Sequence, residues 1–179
     1  QDTFAYYDTA YRILDGSVPF KDYWTVSGPF IDFLQALYFF IFGINWKSYI
    51  INSSIINSLI TIIFFYTIRN FKQDRLLSIF YALCFSVLAN PSMGTPFPDH
   101  YSTFLSLMGI FLFLNAILEE KKIYWFLIPI CFFFAFFSKQ TPSSYILIVL
   151  LITTAIYILS SKKIYFLKYF VLSSISCLF

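Results

Sequence analysis

Charge is what this sequence has least of. Only 12% of its 179 residues are Asp, Glu, Lys or Arg, against 59% hydrophobic and 23% aromatic residues. Soluble domains carry roughly a quarter charged residues, so a water-facing globular surface is excluded, and a mean hydropathy of +0.75 points to the bilayer as solvent. Histidine occurs once and cysteine three times. Cys84, Cys131 and Cys177 sit inside apolar runs without CxxC spacing, which argues for small hydrophobes and against a disulfide, a thiolate metal site or zinc. No single basic patch exists: Lys and Arg come in short groups between apolar runs, a pattern of membrane topology and not of nucleic-acid binding.

What is present is a series of apolar runs. The hydropathy pattern predicts spans over 49–68, 76–89, 101–118, 123–138 and 144–159, with a further one starting near Ile164. The expectation is an all-α, polytopic transmembrane helix bundle in a single domain: residues 1–48 form an extracytoplasmic first loop carrying juxtamembrane helices, and 49–179 supply about five complete spans and the start of a sixth. Because the chain opens on a charged loop and stops inside an apolar run, both ends are expected to be cut, with helices missing on either side.

One segment is awkward. "GPFIDFLQALYFFIFG", residues 28–43, has only 14 residues between its glycines and is interrupted by Asp32 and Gln35. A carboxylate near a bilayer centre costs about 2.5–3.5 kcal/mol on insertion scales, so the segment reads as interfacial or re-entrant. Parity then puts the connections 69–75, 119–122 and 160–168 on one side, with eight of the twelve Lys and Arg residues. The positive-inside bias makes that side cytoplasmic. The opposite side receives 1–48, "NPSMGTPFPDH" and "SKQTPS".

That assignment gathers the acidic head with Asp99, His100 and Lys139. Four of the nine carboxylates, Asp2, Asp8, Asp15 and Asp22, lie in the first 22 residues. Within "TFAYYDTAYRIL", Asp8 and Arg12 are spaced as an i,i+4 pair, and Tyr7, Ala10, Tyr11 and Leu14 form one helical stripe. Asp2 precedes this helix and reads either as its cap or as a catalytic base; Gly16 ends it. Asp99 and His100 close a Pro-rich loop and begin the next span, where a carboxylate at the mouth of a bundle serves as cap, base or ligand to an oxygen-bound divalent ion. Lys139, after "FLIPICFFFAFFS", either snorkels to the interface or holds a lipid phosphate.

Asp2 and its helix, then "YRILDGSVPFKDYW", "GPFIDFLQALYFFIFG", the loop closing on "PDHY" and the turn "SKQTPSSY" together resemble the glycosyltransferase-C superfamily. The bacterial branch related to protein O-mannosyltransferases and lipid A aminoarabinose transferases is the most similar. Thr3 and Ala5 depart from its pattern, which often has Glu and a basic residue there. The resemblance implies an enzyme of the bacterial inner membrane with an extracytoplasmic active site, moving a sugar from a polyprenyl-phosphate carrier to a lipid, glycan or protein acceptor. It further implies Asp2 as catalytic base and Asp99 as the second catalytic carboxylate. Lys21, Asp22, Lys139 and His100 would bind substrate, and Asp2 with Asp99 would hold a divalent metal (Mg or Mn). The competing expectation is a transporter or flippase with an extracytoplasmic acidic site for a cation or proton.

Overall fold

A computed structural model describes residues 2–25, 27–89, 94–161 and 165–176, with the side chains of Asp2, Thr3, Ser173 and Ser176 outside the description. Among these residues the chain forms eight helices in the order α1 (Asp2–Leu14), α2 (Phe30–Phe42), α3 (Trp46–Asn70), α4 (Arg75–Ala89), α5 (Pro98–Glu119), α6 (Lys122–Ser138), α7 (Gln140–Ser161) and α8 (Tyr165–Ser176). The expectations at Cys177, Lys162, Lys163 and Ile164 lie outside the described residues.

Local chemistry sets the ends. Gly16, at φ 90°, closes α1 in a Schellman arrangement: Ser17 N–H donates to the Arg12 carbonyl at 2.9 Å and Gly16 N–H to that of Ile13 at 3.0 Å. Between α2 and α3, Asn45 accepts from Ser48 N–H at 2.9 Å as the N-cap while its amide donates to the Phe42 carbonyl at 2.9 Å. One side chain thus serves orphan groups of two helices and fixes the angle between them.

Three helices, α3, α5 and α7, are long and apolar enough to cross a membrane, at 25, 22 and 22 residues. Helices α4 and α6, at 15 and 17 residues, are about 23 and 26 Å long, somewhat under the ~30 Å hydrocarbon core. The 13 residues of α2 reach only about 20 Å. The chain is a helical membrane protein on this reading.

Packing agrees with that solvent. Large apolar side chains point outward, as with Leu88 on α4 and Leu159 on α7, 83% and 76% exposed. Polar side chains instead lie between helices: Ser48, Asn52, Ser53, Asn57 and Thr67 are buried along one stripe of α3. Asn57 donates to Ser86 O at 3.1 Å on α4, and Asn115 of α5 to Thr67 Oγ1 at 3.0 Å. In lipid, small and polar residues at interfaces hold helices together because burying hydrocarbon gives no gain. Gly109 lets α5 approach α6: a Cβ there would come within 2.5 Å of the Phe132 ring. Trp125, fully buried, stacks between Tyr157 and Phe166 at 5.9 and 5.3 Å and so joins α6, α7 and α8.

The bundle has two ends. Gly28 N–H donates to Ser138 O at 3.1 Å, Ser53 hydroxyl to Gly94 O, and Ser102 hydroxyl to Lys139 O at 2.8 Å. These contacts gather the head, the loop before α5 and the α6–α7 turn at one end, here the head end. Asn70, Asn115, Glu119 and Tyr124 meet at the other.

Candidate functional site at the head end

Helix α1 lies across α2 and the start of α3. Its apolar stripe supplies the seat: Tyr7 packs on Phe39 at 4.7 Å and Tyr49 at 5.5 Å, and Ala10 is fully buried beside Ala36. The opposite face carries the exposed Asp8–Arg12 pair, 2.7 Å apart. The side chain of Asp2 is outside the described residues, so its expected approach to Asp99 is carried forward as a proposal.

The following loop explains two candidates. Asp22 accepts from Val18 N–H at 2.8 Å, closing a turn whose next residues are tied by Phe20 N–H to Tyr23 O at 2.8 Å. Asp22 therefore serves the fold of its own loop, and Lys21 is exposed on that turn.

Asp99 and Lys139, forty positions apart, meet with Lys139 Nζ 2.6 Å from Asp99 Oδ1. Pro98 opens α5 and sets Asp99 in its first turn, where the helix dipole favours a carboxylate. Lys139 occupies the extended link between α6 and α7, with φ −160°, and its carbonyl accepts from Ser102 and Ser143 hydroxyls at 2.8 and 2.9 Å. The main chain is pinned while the ammonium stays open: the two side chains are 40% and 45% exposed. An ammonium has three donors, so one hydrogen bond to Asp99 leaves capacity for a phosphate oxygen. His100 turns inward between Phe97 and Phe104, at 5.9 and 6.1 Å, with a buried Nδ1 that has no partner.

Asp32 is the residue that sequence reasoning passed over, treating it only as a cost of crossing the bilayer. It is 0% exposed and accepts from Thr9 Oγ1 at 2.6 Å, while its Oδ2 has no partner. Burial pushes its carboxyl up to about 6, with the hydroxyls of Thr9 and Thr25 pulling the other way. Burial and then the nearby Asp32 raise the Tyr23 phenol to about 12. A signal was present: in so apolar a helix, Asp32 and Gln35 share a face at i,i+3 and must find partners. Gln35 finds one by accepting from Asn52 at 2.8 Å, and Asn52 in turn accepts from Tyr101 hydroxyl at 2.8 Å. This relay ties α2 through α3 to α5, two residues beyond Asp99.

Two apolar grooves flank α6. One of about 500 Å³ is lined by Pro129, Phe132, Phe136, Phe137, Leu147 and Phe170. Another of about 460 Å³ lies against α2, between Pro29, Phe33 and Leu37 on one wall and Phe133, Phe134 and Phe137 on the other. Phe133 and Phe137 belong to both, and the last turn of α6 leads from them to Lys139.

Asp2, one of the two expected metal ligands, has its side chain outside the described residues. Among the described residues no three His, Cys, Asp or Glu side chains lie together, and Asp99 faces an ammonium.

No family model matches this chain, and neither a curated protein nor a solved structure does.

Proposed function

We propose that this chain forms the donor-binding end of a membrane glycosyltransferase of the glycosyltransferase-C type. It moves a sugar from a polyprenyl-phosphate carrier to a lipid, glycan or protein acceptor outside the cytoplasm. The observation that carries the reading is the Lys139–Asp99 pair at the point where an apolar groove on α6 reaches the head end. A polyprenyl tail lying along Phe133 and Phe137 brings its phosphate to Lys139 without leaving hydrocarbon.

The chemistry then divides as follows. The acceptor oxygen bonds to the anomeric carbon, the bond from that carbon to the phosphate oxygen breaks, and the electron pair leaves with the carrier phosphate. Lys139 stabilises that charge through the donors that its bond to Asp99 leaves open, its half-exposed ammonium being reachable by the carrier phosphate. Asp99 holds the ammonium in place, and Asp2 takes the acceptor proton, a step worth about 10²–10⁴-fold. The resemblance supplies the role of Asp2, and the site geometry supports that of Lys139.

The test is transfer of radiolabelled sugar from a polyprenyl-phosphate donor by the full-length enzyme in membranes. Lys139→Ala is expected to raise the donor KM and to lower kcat, with Lys139→Arg recovering part of both. Unchanged donor KM in Lys139→Ala removes the phosphate from this site.

A further inference from the structure

Asp32 takes no part in that mechanism, and its surroundings ask for a ligand of their own. It is completely buried between α1 and α2, one oxygen held by Thr9 at 2.6 Å and the other unpartnered. The groups around it are neutral oxygens. Thr25, 5% exposed, has its hydroxyl 3.3 Å from the Ser27 carbonyl, and Tyr23 reaches the Thr9 carbonyl at 3.5 Å. What acts on its carboxyl is burial and two hydroxyls, with no cation among them. The head-end cations lie elsewhere: Arg12 is engaged by Asp8 on the outer face of α1, Lys139 by Asp99, and Lys21 and Lys47 are exposed. Among the described residues, the titratable groups electrostatically coupled to it are the phenols of Tyr23 from the loop and Tyr49 from α3, neither charged at neutral pH.

A buried carboxylate without a counter-charge is costly unless it neutralises or binds an ion. One carboxylate among neutral oxygens matches a single positive charge; divalent ions are held by several charged ligands or keep much of their water. We propose that Asp32, with the hydroxyls of Thr9 and Thr25, is a binding site for one unit of positive charge, a proton or a sodium-sized ion, whose occupancy holds α1 against α2. The Asp32–Thr9 bond is a polar link between those two helices, so its charge state bears directly on α1. The site is independent of the transferase reading, since it shares no residue with the Lys139–Asp99 pair and needs no substrate.

Hydrogen–deuterium exchange of the α1 amides, corrected for intrinsic rates, tests this on the 179-residue chain in nanodiscs. With choline as the cation at about pH 8, α1 is expected to exchange about tenfold faster than at about pH 5, the change that one pK unit of linkage produces. Sodium added at the higher pH restores slow exchange if the ion is a ligand; a response to acid alone identifies the proton. Asp32→Asn, uncharged throughout, is expected to exchange slowly under every condition. Thr25→Val keeps the carboxylate and is expected to weaken a sodium response while leaving the proton response. Exchange in the unaltered chain that ignores both pH and sodium overturns the proposal, as does an equal response in Asp32→Asn. Should Asp32→Asn not fold, the unaltered chain and Thr25→Val still decide the matter.

Discussion

The two ends of the bundle treat their charged and amide side chains differently, although Trp125 Nε1 near the far end is also buried without a hydrogen-bond partner. At the far end Glu119 is met by Asn70, by Lys121 and by Tyr124, and Asn70 and Thr67 are joined through Asn115. These groups satisfy one another, as a network that only holds helices together should. At the head end the polar groups are left open: Lys139 and Asp99 are paired but half-exposed, Asp32 Oδ2 and Gln35 Nε2 are buried without partners, and so is His100 Nδ1. A closed network stabilises, whereas an open one retains capacity for something from outside the chain. Function is therefore sought at the head end.

The first way to break this comparison is to test whether the ends lie on opposite membrane faces. Cysteines placed at Lys21 and at Gln73, both exposed, are expected to label from opposite sides of sealed vesicles. Labelling from one side would make α2 a full crossing and split the head end between compartments. Next, under the proposed transferase reading, is Asp2→Asn, which keeps capping ability because Asn caps helices about as well as Asp. Sugar transfer is expected to fall by about 10²–10⁴-fold with unchanged thermal stability, and equal activity of Asp2→Asn and Asp8→Asn would reduce Asp2 to a cap.

Smaller effects separate shape from chemistry. Gly28→Ala is expected to destabilise by about 1–3 kcal/mol, the range for overpacking. Its Cβ would fall 1.9 Å from the Phe137 carbonyl oxygen, a backbone atom that cannot swing aside. Thermal unfolding in detergent measures this, and the Gly28–Ser138 bond is expected to be lost with it. At the closed end, Asn115→Ala removes one bond each from Thr67 and Asn70, which keep those to the Ile63 carbonyl and Glu119, and is expected to cost about 0.6–1.7 kcal/mol by the same measurement, with transfer unchanged. Transfer falling as far as stability would erase the distinction between the ends.

The pH dependence follows from Asp32. Its folded value, about 6, lies above the ordinary 3.8, so the folded chain binds the proton more tightly than the unfolded one. Stability is therefore expected to decline as pH rises from about 4 to about 6 and then to level off, and Asp32→Asn is expected to remove that decline. The smallest effect belongs to Arg12→Ala: its exposed ion pair with Asp8 is screened by water, and neither unfolding nor transfer is expected to change measurably.

Legibility differed by feature. Apolar runs placed α3 to α7 within a few residues, because each helix needs a hydrophobic length that can be counted along the chain. Gly16 as a terminator and Asp8 with Arg12 as a pair were equally plain, being contacts within one helical turn. Asp22 was legible as a head-end carboxylate, and the bond from Val18 N–H shows it closing a turn of its own loop. Asp32 stands out in the sequence as a costly carboxylate in an apolar helix, while its burial and its bond from Thr9 depend on packing across the chain.

What the sequence by itself determined is the solvent, the helices, and the grouping of head, second loop and α6–α7 turn at one end. Each depends on composition or on the order of elements, which are properties of a line. Tertiary structure decided that Lys139 faces Asp99, that Thr9 reaches Asp32, and that Gly28 meets the backbone of α6 where no Cβ fits. Those outcomes depend on how each helix is rotated and where helices cross. A turn of about 100° per residue, the pitch of 3.6 residues, moves a side chain from lipid to interior, and packing against neighbours far along the chain sets that rotation.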